Sequence, residues 1–181
     1  MTPPTLVFDL ETQKLVHEVG GWDKVSLLGL AAAVTLDAET GRVRHYVESD
    51  APALIADLND ASRVIGYNIL GFDYPVLSGY GFDPFELGAP GRTLDLSDTL
   101  YRALGIHVSL ENVAAETLGV HKSADGLAAV AWYRQGLVEK VLEYCEEDVR
   151  ITHQLWEYGR RQRRVRYRDS GFRLHDVPVL W

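Results

Sequence analysis

Asp9 and Glu11, with Leu10 between them, are the first residues whose types and spacing could do chemistry. Leu6-Val7-Phe8 before them reads as extended chain, and in a strand side chains two apart leave by the same face. Both carboxylates then project together while Leu10 points into the opposite layer. Two acids so placed can share a divalent cation, although an acidic pair at a strand end also fits a solvated edge. A third acid, Asp73, closes the segment Asn68-Ile69-Leu70-Gly71-Phe72-Asp73 just before Tyr74-Pro75, where it fits a helix cap as well as a metal ligand. The last group is Tyr144-Cys145-Glu146-Glu147-Asp148. Residues four apart on a helix lie one turn above another, so the Tyr144 hydroxyl and the Asp148 carboxylate can reach a common point.

These residues need elements to hold them. Residues 27–36 are apolar and small, Thr40-Gly41 offers a turn, and residues 43–47 form a second extended run, together an antiparallel start to a sheet. Residues 51–58 have helical spacing behind Asp50 as a candidate cap, and residues 63–67 read as a buried strand leading into the Asn68 loop. A short helix follows at residues 74–77, with Pro75 in its first turn, where a missing amide donor does no harm. Residues 79–91 read as connection and residues 93–100 as containing a short strand. Ser109 caps a helix that runs through Leu118 and stops at Gly119. The longest helix spans residues 137–158, with Val138, Val141, Leu142, Cys145, Val149 and Trp156 as its sheet-facing stripe. Tyr144 and Asp148 border that stripe, and Glu146, Glu147 and Arg150 face solvent. Strands first, then strand and helix in alternation, imply an α/β or α+β domain with a mixed sheet flanked by helices.

Bulk properties narrow the function. A chain of 181 residues, 46% hydrophobic and 24% charged, fits one domain able to bury a core. Its net charge of −8 argues against coating nucleic acid through diffuse positive charge, so a polyanionic partner must be gripped locally. Arg160, Arg161, Arg163, Arg164, Arg166 and Arg168 crowd the carboxyl end, leaving 12 of the 18 basic residues against 26 acidic ones elsewhere. Residues 1–159 are accordingly read as the domain and residues 160–181 as an arginine-rich extension packing on it. That cluster suits a phosphate backbone, and equally a solvated tail or a docking surface for a partner protein. Lys122, after Gly119, suits a phosphate contact or an ordinary exposed position. Cys145 is the only cysteine, which leaves no intramolecular disulfide framework and a poor zinc site. With no signal-like amino terminus and no apolar run of membrane length, a cytoplasmic protein without membrane contact is expected.

The order and chemical type of the three motifs resemble those of the DEDD exonuclease superfamily, of ribonuclease-H-like fold. Asp9 and Glu11 match its D-x-E strand, Asn68, Phe72 and Asp73 its N-x-x-x-F-D segment, and Tyr144 with Asp148 its last helix. The tyrosine four places before Asp148 is similar to the tyrosine subclass; the histidine subclass would need a histidine where this chain has Glu143. Leu118-Gly119-Val120-His121-Lys122 and the stretch from Tyr144 to Val149 resemble a smaller branch of predicted exonucleases found alone or fused to helicases. The likeness covers roughly residues 5–160.

The resemblance implies a ribonuclease-H-like mixed β-sheet flanked by α-helices, and a 3′→5′ exonuclease acting on single-stranded DNA or RNA ends with two divalent ions, Mg²⁺ or Mn²⁺. Asp9 would bridge both ions, Glu11 and Asp148 would complete the nucleophile-side ion, and Asp73 would act mostly through water on the other. Tyr144 would orient the attacking water, its reference pKa of about 10 being poorly matched to a general base. Asn68, Phe72, Lys122, Arg160, Arg161, Arg163 and Arg164 are the candidate substrate contacts. An endonuclease of the same fold is the nearest rival. A catalytically inactive nucleic-acid-binding or partner-binding module is the other, against which the complete acidic set argues. A helicase or polymerase partner would be a separate protein.

Overall fold

Strand β1 (Thr5–Thr12) sits at the centre of a five-stranded sheet because its side chains are wanted on both faces. The structure, a computed structural model, describes residues 3–85 and 91–181. Beside β1 on one side runs β2 (Leu30–Asp37), antiparallel, and beyond it β3 (Val43–Tyr46), also antiparallel. On the other side lie β4 (Arg63–Gly66) and β5 (Thr93–Asp95), both parallel to their inner neighbours, giving the order β3-β2-β1-β4-β5. The almost continuous apolar run of β2, Leu-Ala-Ala-Ala-Val, is what a strand covered on both faces requires.

Leu6, Phe8 and Leu10 point into one layer, with α1 (Ala51–Asp60), α2 (Asp73–Ser78) and the 3-10 turn Trp22–Leu27. Val7 points into the opposite layer, built from α3 (Leu96–Leu104), α4 (Leu110–Leu118), α5 (Gly126–Arg134) and α6 (Val138–Gln162). The 25-residue α6 lies across β1 and β2. It runs against β1, so that Asp148 faces the strand's far end while Trp156 and Arg160 lie beside Thr5 at its start. Of the expected stripe, Val141, Leu142, Cys145, Val149 and Trp156 are buried and Val138 is half-buried.

After α6, Arg163 takes a left-handed turn (φ 57°), and β6 (Arg164–Arg168) pairs with β7 (Leu174–Pro178) as a separate antiparallel ribbon. Its outer edge is completed by side chains of α4. Asn112 and Thr117 exchange hydrogen bonds of 2.8 to 3.1 Å with the backbone of Arg168 and Arg166, taking the place of a third strand. Trp181 then folds back onto α6, its indole donating to the Trp156 carbonyl at 3.1 Å over the bare backbone of Gly159.

Several expectations need correction. Asp50 does not cap α1; its carboxylate accepts the Val47 amide instead. The stretch 93–100 does contain the expected short strand, Thr93–Asp95, but it passes at Leu96 into α3, a helix that was not expected, and residues 126–134 form a second unexpected helix. The long helix extends to Gln162. Part of the connection at residues 79–91, namely 86–90, lies outside the described residues.

Candidate metal centre

β1 outruns β4, whose pairing with it ends at Val7 opposite Ile65, so the last half of β1 lacks a neighbour on that side. This is where the acids gather. Asp9 and Glu11 leave β1 toward α6, which presents Asp148, and one carboxylate oxygen from each lies within 4.8 Å of the others. Asp73 arrives from the opposite layer, at the first turn of α2. Its Oδ1 accepts the Leu10 amide at 3.0 Å, taking the hydrogen bond that a longer β4 would have made. It does not cap its own helix; it ties α2 to the acidic strand.

The segment carrying Asp73 is held by a residue the sequence reading passed over. Asp95, buried at the end of β5, accepts the Asn68 and Leu70 amides at 2.8 and 3.0 Å and also those of Ser97 and Asp98 at the start of α3. One carboxylate therefore caps a helix and fixes the loop before Asp73. Its position just ahead of Leu-Ser-Asp was the available clue, since Asp before a helical run is a favoured cap. Gly66 contributes closeness: a Cβ there would strike Ile69 and come within 3.0 Å of the Phe8 carbonyl.

Cys145, one residue after Tyr144, donates its thiol to the Asp9 carbonyl at 3.3 Å, with Asp9 Oδ2 at 3.7 Å, so it buttresses Asp9 and is not a member of the acidic group. Tyr144 faces the acids on the same helix, its hydroxyl interacting with the Asp148 carboxylate and its ring edge-on to Trp132 with centroids 6.1 Å apart. Lys122 reaches in from the loop between α4 and α5. Its ammonium stands 2.6 Å from Asp148 Oδ2 and 5.0 Å from the centre of the Tyr144 ring.

Crowding sets the charges. Burial, then the neighbouring Asp73, Asp148 and Glu11, push Asp9 well above the ordinary carboxylate range. Glu11 is raised by burial and Asp148. Burial lifts Asp73 to about 8 against the pull of the Leu10 amide. Asp148 is raised by burial in spite of Lys122. Burial works against the charge on Lys122, but Asp148, Asp9 and Glu11 outweigh it and hold the ammonium protonated. Burial and the acids drive the Tyr144 phenol far up, so it stays a hydroxyl that can donate a hydrogen bond. A site in which burial first and neighbouring carboxylates second resist ionisation is one that a dication relieves. Asp148 Oδ1, buried and without a hydrogen-bond partner among the described residues, is an oxygen left for such an ion. The donors are all hard carboxylate oxygens, which suit Mg²⁺ or Mn²⁺.

The structure thus brings together Asp9, Glu11 and Asp148, with Asp73 joined through one amide and Tyr144 and Lys122 at the rim. Phe72 flanks them, edge-on to the exposed Trp22 with centroids 6.2 Å apart. Both line a cleft of about 320 Å³ that also touches Glu11, Thr12 and Leu127. Asn68 is exposed, in a left-handed conformation (φ 65°) that turns the loop. The arginines are elsewhere. Arg160 lies twelve residues beyond Asp148, about 18 Å along the axis at the usual helical rise. It pairs with Glu157 over the Trp156 ring, while Arg164 lies 3.7 Å from Asp176 and Arg161 and Arg163 are exposed. Glu147 is also more than a solvent residue, since it accepts the Ser123 amide and hydroxyl.

A mixed sheet of this order, with acids on its central strand and on the helix that crosses it, defines a ribonuclease-H-like α/β fold with a candidate cation site at its open end. Residues 6–159 match the family RNase_H_2, of the RNase_H superfamily, and the chain belongs to that superfamily. No curated protein matches it. Membership points to metal-dependent hydrolysis of nucleic acid, in accord with the acidic cluster. Among the described residues no helix is long and apolar enough to cross a membrane.

Proposed function

We propose that the chain is a 3′→5′ exonuclease that removes nucleotides from single-stranded DNA or RNA ends with the help of two divalent ions, Mg²⁺ or Mn²⁺. The observation that carries this reading is the convergence of Asp9, Glu11 and Asp148 within 4.8 Å, with Asp73 one amide away and Tyr144 on the same helix face as Asp148. Asp9, Glu11, Asp73 and Asp148 would hold the ions, which when bound make water a better nucleophile and offset the charge gathering on the leaving oxygen. Tyr144, kept protonated, donates a hydrogen bond that orients the attacking water. Lys122 offers its ammonium to a nonbridging phosphate oxygen. Phe72 and Trp22 supply flat apolar surface to the terminal base in a cleft within the size range of small-ligand pockets. Asn68 lies on the loop that carries Phe72.

A cleft of that size beside Glu11 favours a frayed end over continuous duplex, so a helicase or polymerase partner that exposes such an end would complement the activity. The reading places the protein in the cytoplasm, where its thiol would stay reduced. Oligonucleotides labelled at the 3′ or the 5′ end, together with a circular single strand, test it in Mn²⁺ and in EDTA. The expected result is stepwise loss from the 3′ end in Mn²⁺ alone, with the circle intact; cutting of the circle would make the enzyme an endonuclease. Metal-independent binding without cleavage would make it an inactive binding module.

A further inference from the structure

Lys122 is placed with unusual care for a loop lysine. Its own amide donates to Glu111 Oε2 at 2.8 Å, and the next residue, Ser123, is fastened through amide and hydroxyl to Glu147 Oε2. The backbone is therefore pinned to α4 and α6 outside the acidic group, and only the side chain enters it. There the ammonium meets Asp148 Oδ2 at 2.6 Å, with the lysine side chain 16% exposed and that of Asp148 6%. On its other side Lys122 borders a cleft of about 600 Å³ that is also lined by Ser109, Glu111, Asp125 and Gly126. The side chain thus has a second place to go, with two carboxylates in it, without any movement of the loop.

An ammonium in contact with Asp148 Oδ2 and a dication drawn to the same carboxylate repel one another at close range, in surroundings that screen them poorly. We propose that Lys122 is a built-in counterion, standing in for a divalent ion at Asp148 in the metal-free chain and swinging out when the ion binds. The proposal rests on the metal centre described above. Its consequence is an order of events: loading of the ion frees a positive charge at the rim of the site, so the phosphate-binding ammonium becomes available only once the acids are neutralised.

Mn²⁺ titration calorimetry of the wild type, Lys122→Met and Lys122→Arg tests it, alongside mass-spectrometric measurement of how fast an amine-acylating reagent modifies Lys122 in wild-type protein with and without Mg²⁺. Loss of the competitor should tighten Mn²⁺ binding by Lys122→Met roughly tenfold or more, as removal of one charge-assisted hydrogen bond implies. Lys122→Arg, which keeps the charge and the reach, should stay near wild type, and acylation of wild-type Lys122 should quicken in Mg²⁺. Acylation that Mg²⁺ leaves unchanged or slows overturns the counterion role whatever the affinities, and so does Lys122→Met binding no more tightly than wild type. If Lys122→Met does not fold, the acylation measurement decides alone. Failure of the wild type to bind Mn²⁺ would overturn the metal centre itself, a distinct result.

Discussion

Four carboxyls forced into one buried corner make stability depend on pH in an unusual direction. A carboxyl whose pKa rises on folding holds its proton more tightly folded than unfolded, so its ionisation is paid by the folded state. With Asp73 moved from its ordinary value near 4 to about 8, and Asp9 and Glu11 also raised, the metal-free chain should be most stable below about pH 4 as far as these groups are concerned. It should lose that share progressively as pH rises toward 8. Thermal melts in EDTA should show the fall, and Mn²⁺ should restore more stability at pH 8 than at pH 5, because binding must displace protons at the lower pH. Asp9→Asn separates the two demands on this residue. It should raise the melting temperature in EDTA at pH 8 by relieving repulsion, while lowering turnover roughly 10³-fold, the scale of several kcal/mol that metal chemistry supplies. Tyr144→Phe, which removes only an orienting hydroxyl, should lose no more than roughly a hundredfold; both rates can be read from single-turnover hydrolysis. At this scale the sequence was readable where local periodicity decides: Asp9 with Glu11, and Tyr144 with Asp148. The attachment of Asp73 to the Leu10 amide and of Lys122 to Asp148 joins segments distant in the chain, and neither leaves a mark in spacing.

Among the elements, α4 and α6 were legible from caps and stripes: Ser109 accepts the Asn112 amide at 3.2 Å and Gly119 ends α4 with φ 70°. The helices α3 and α5 were not. β5 pairs for only three residues, and its passage into α3 depends on Asp95, four of whose hydrogen bonds go to amides in two different segments. α5 opens with Gly126 and buries only Ala129 and Val130, too narrow an apolar face to stand out from its neighbours. Asp95→Ala should therefore act on two elements together. Loss of a cap and of two loop hydrogen bonds amounts to about 2–4 kcal/mol in urea unfolding. Mn²⁺ affinity should fall with it, because the loop that delivers Asp73 loses its anchor; unchanged affinity would mean that the Leu10 contact alone holds Asp73.

Across the molecule, the acids of the metal centre meet α6 near its middle, at Asp148, while the arginine cluster begins only at its carboxyl end, a separation that net charge and clustering could not reveal. Most of the arginines are matched with acids of their own, Arg160 with Glu157, Arg164 and Arg166 with Asp176 and Arg168 with Glu116, which leaves Arg161 and Arg163 as the candidates for a distant phosphate. Replacing both with alanine should spare hydrolysis of the shortest oligonucleotides, which cannot span about 18 Å. Affinity for long single strands should weaken, and its dependence on salt should become less steep. Equal losses for short and long substrates in a binding titration would speak against this division.

Because α6 must offer Asp148 at one end of β1 and seat Trp156 at the other, it has no freedom to slide; a slip of one turn, about 5.4 Å, would empty both berths at once. Trp181, lodged on Gly159, acts as the chock. A methyl group at that position meets the indole at 2.3 Å, so Gly159→Ala should cost about 1–3 kcal/mol in thermal unfolding. It should also weaken Mn²⁺ binding at the remote end, making Trp181 a distant custodian of the alignment on which hydrolysis would depend.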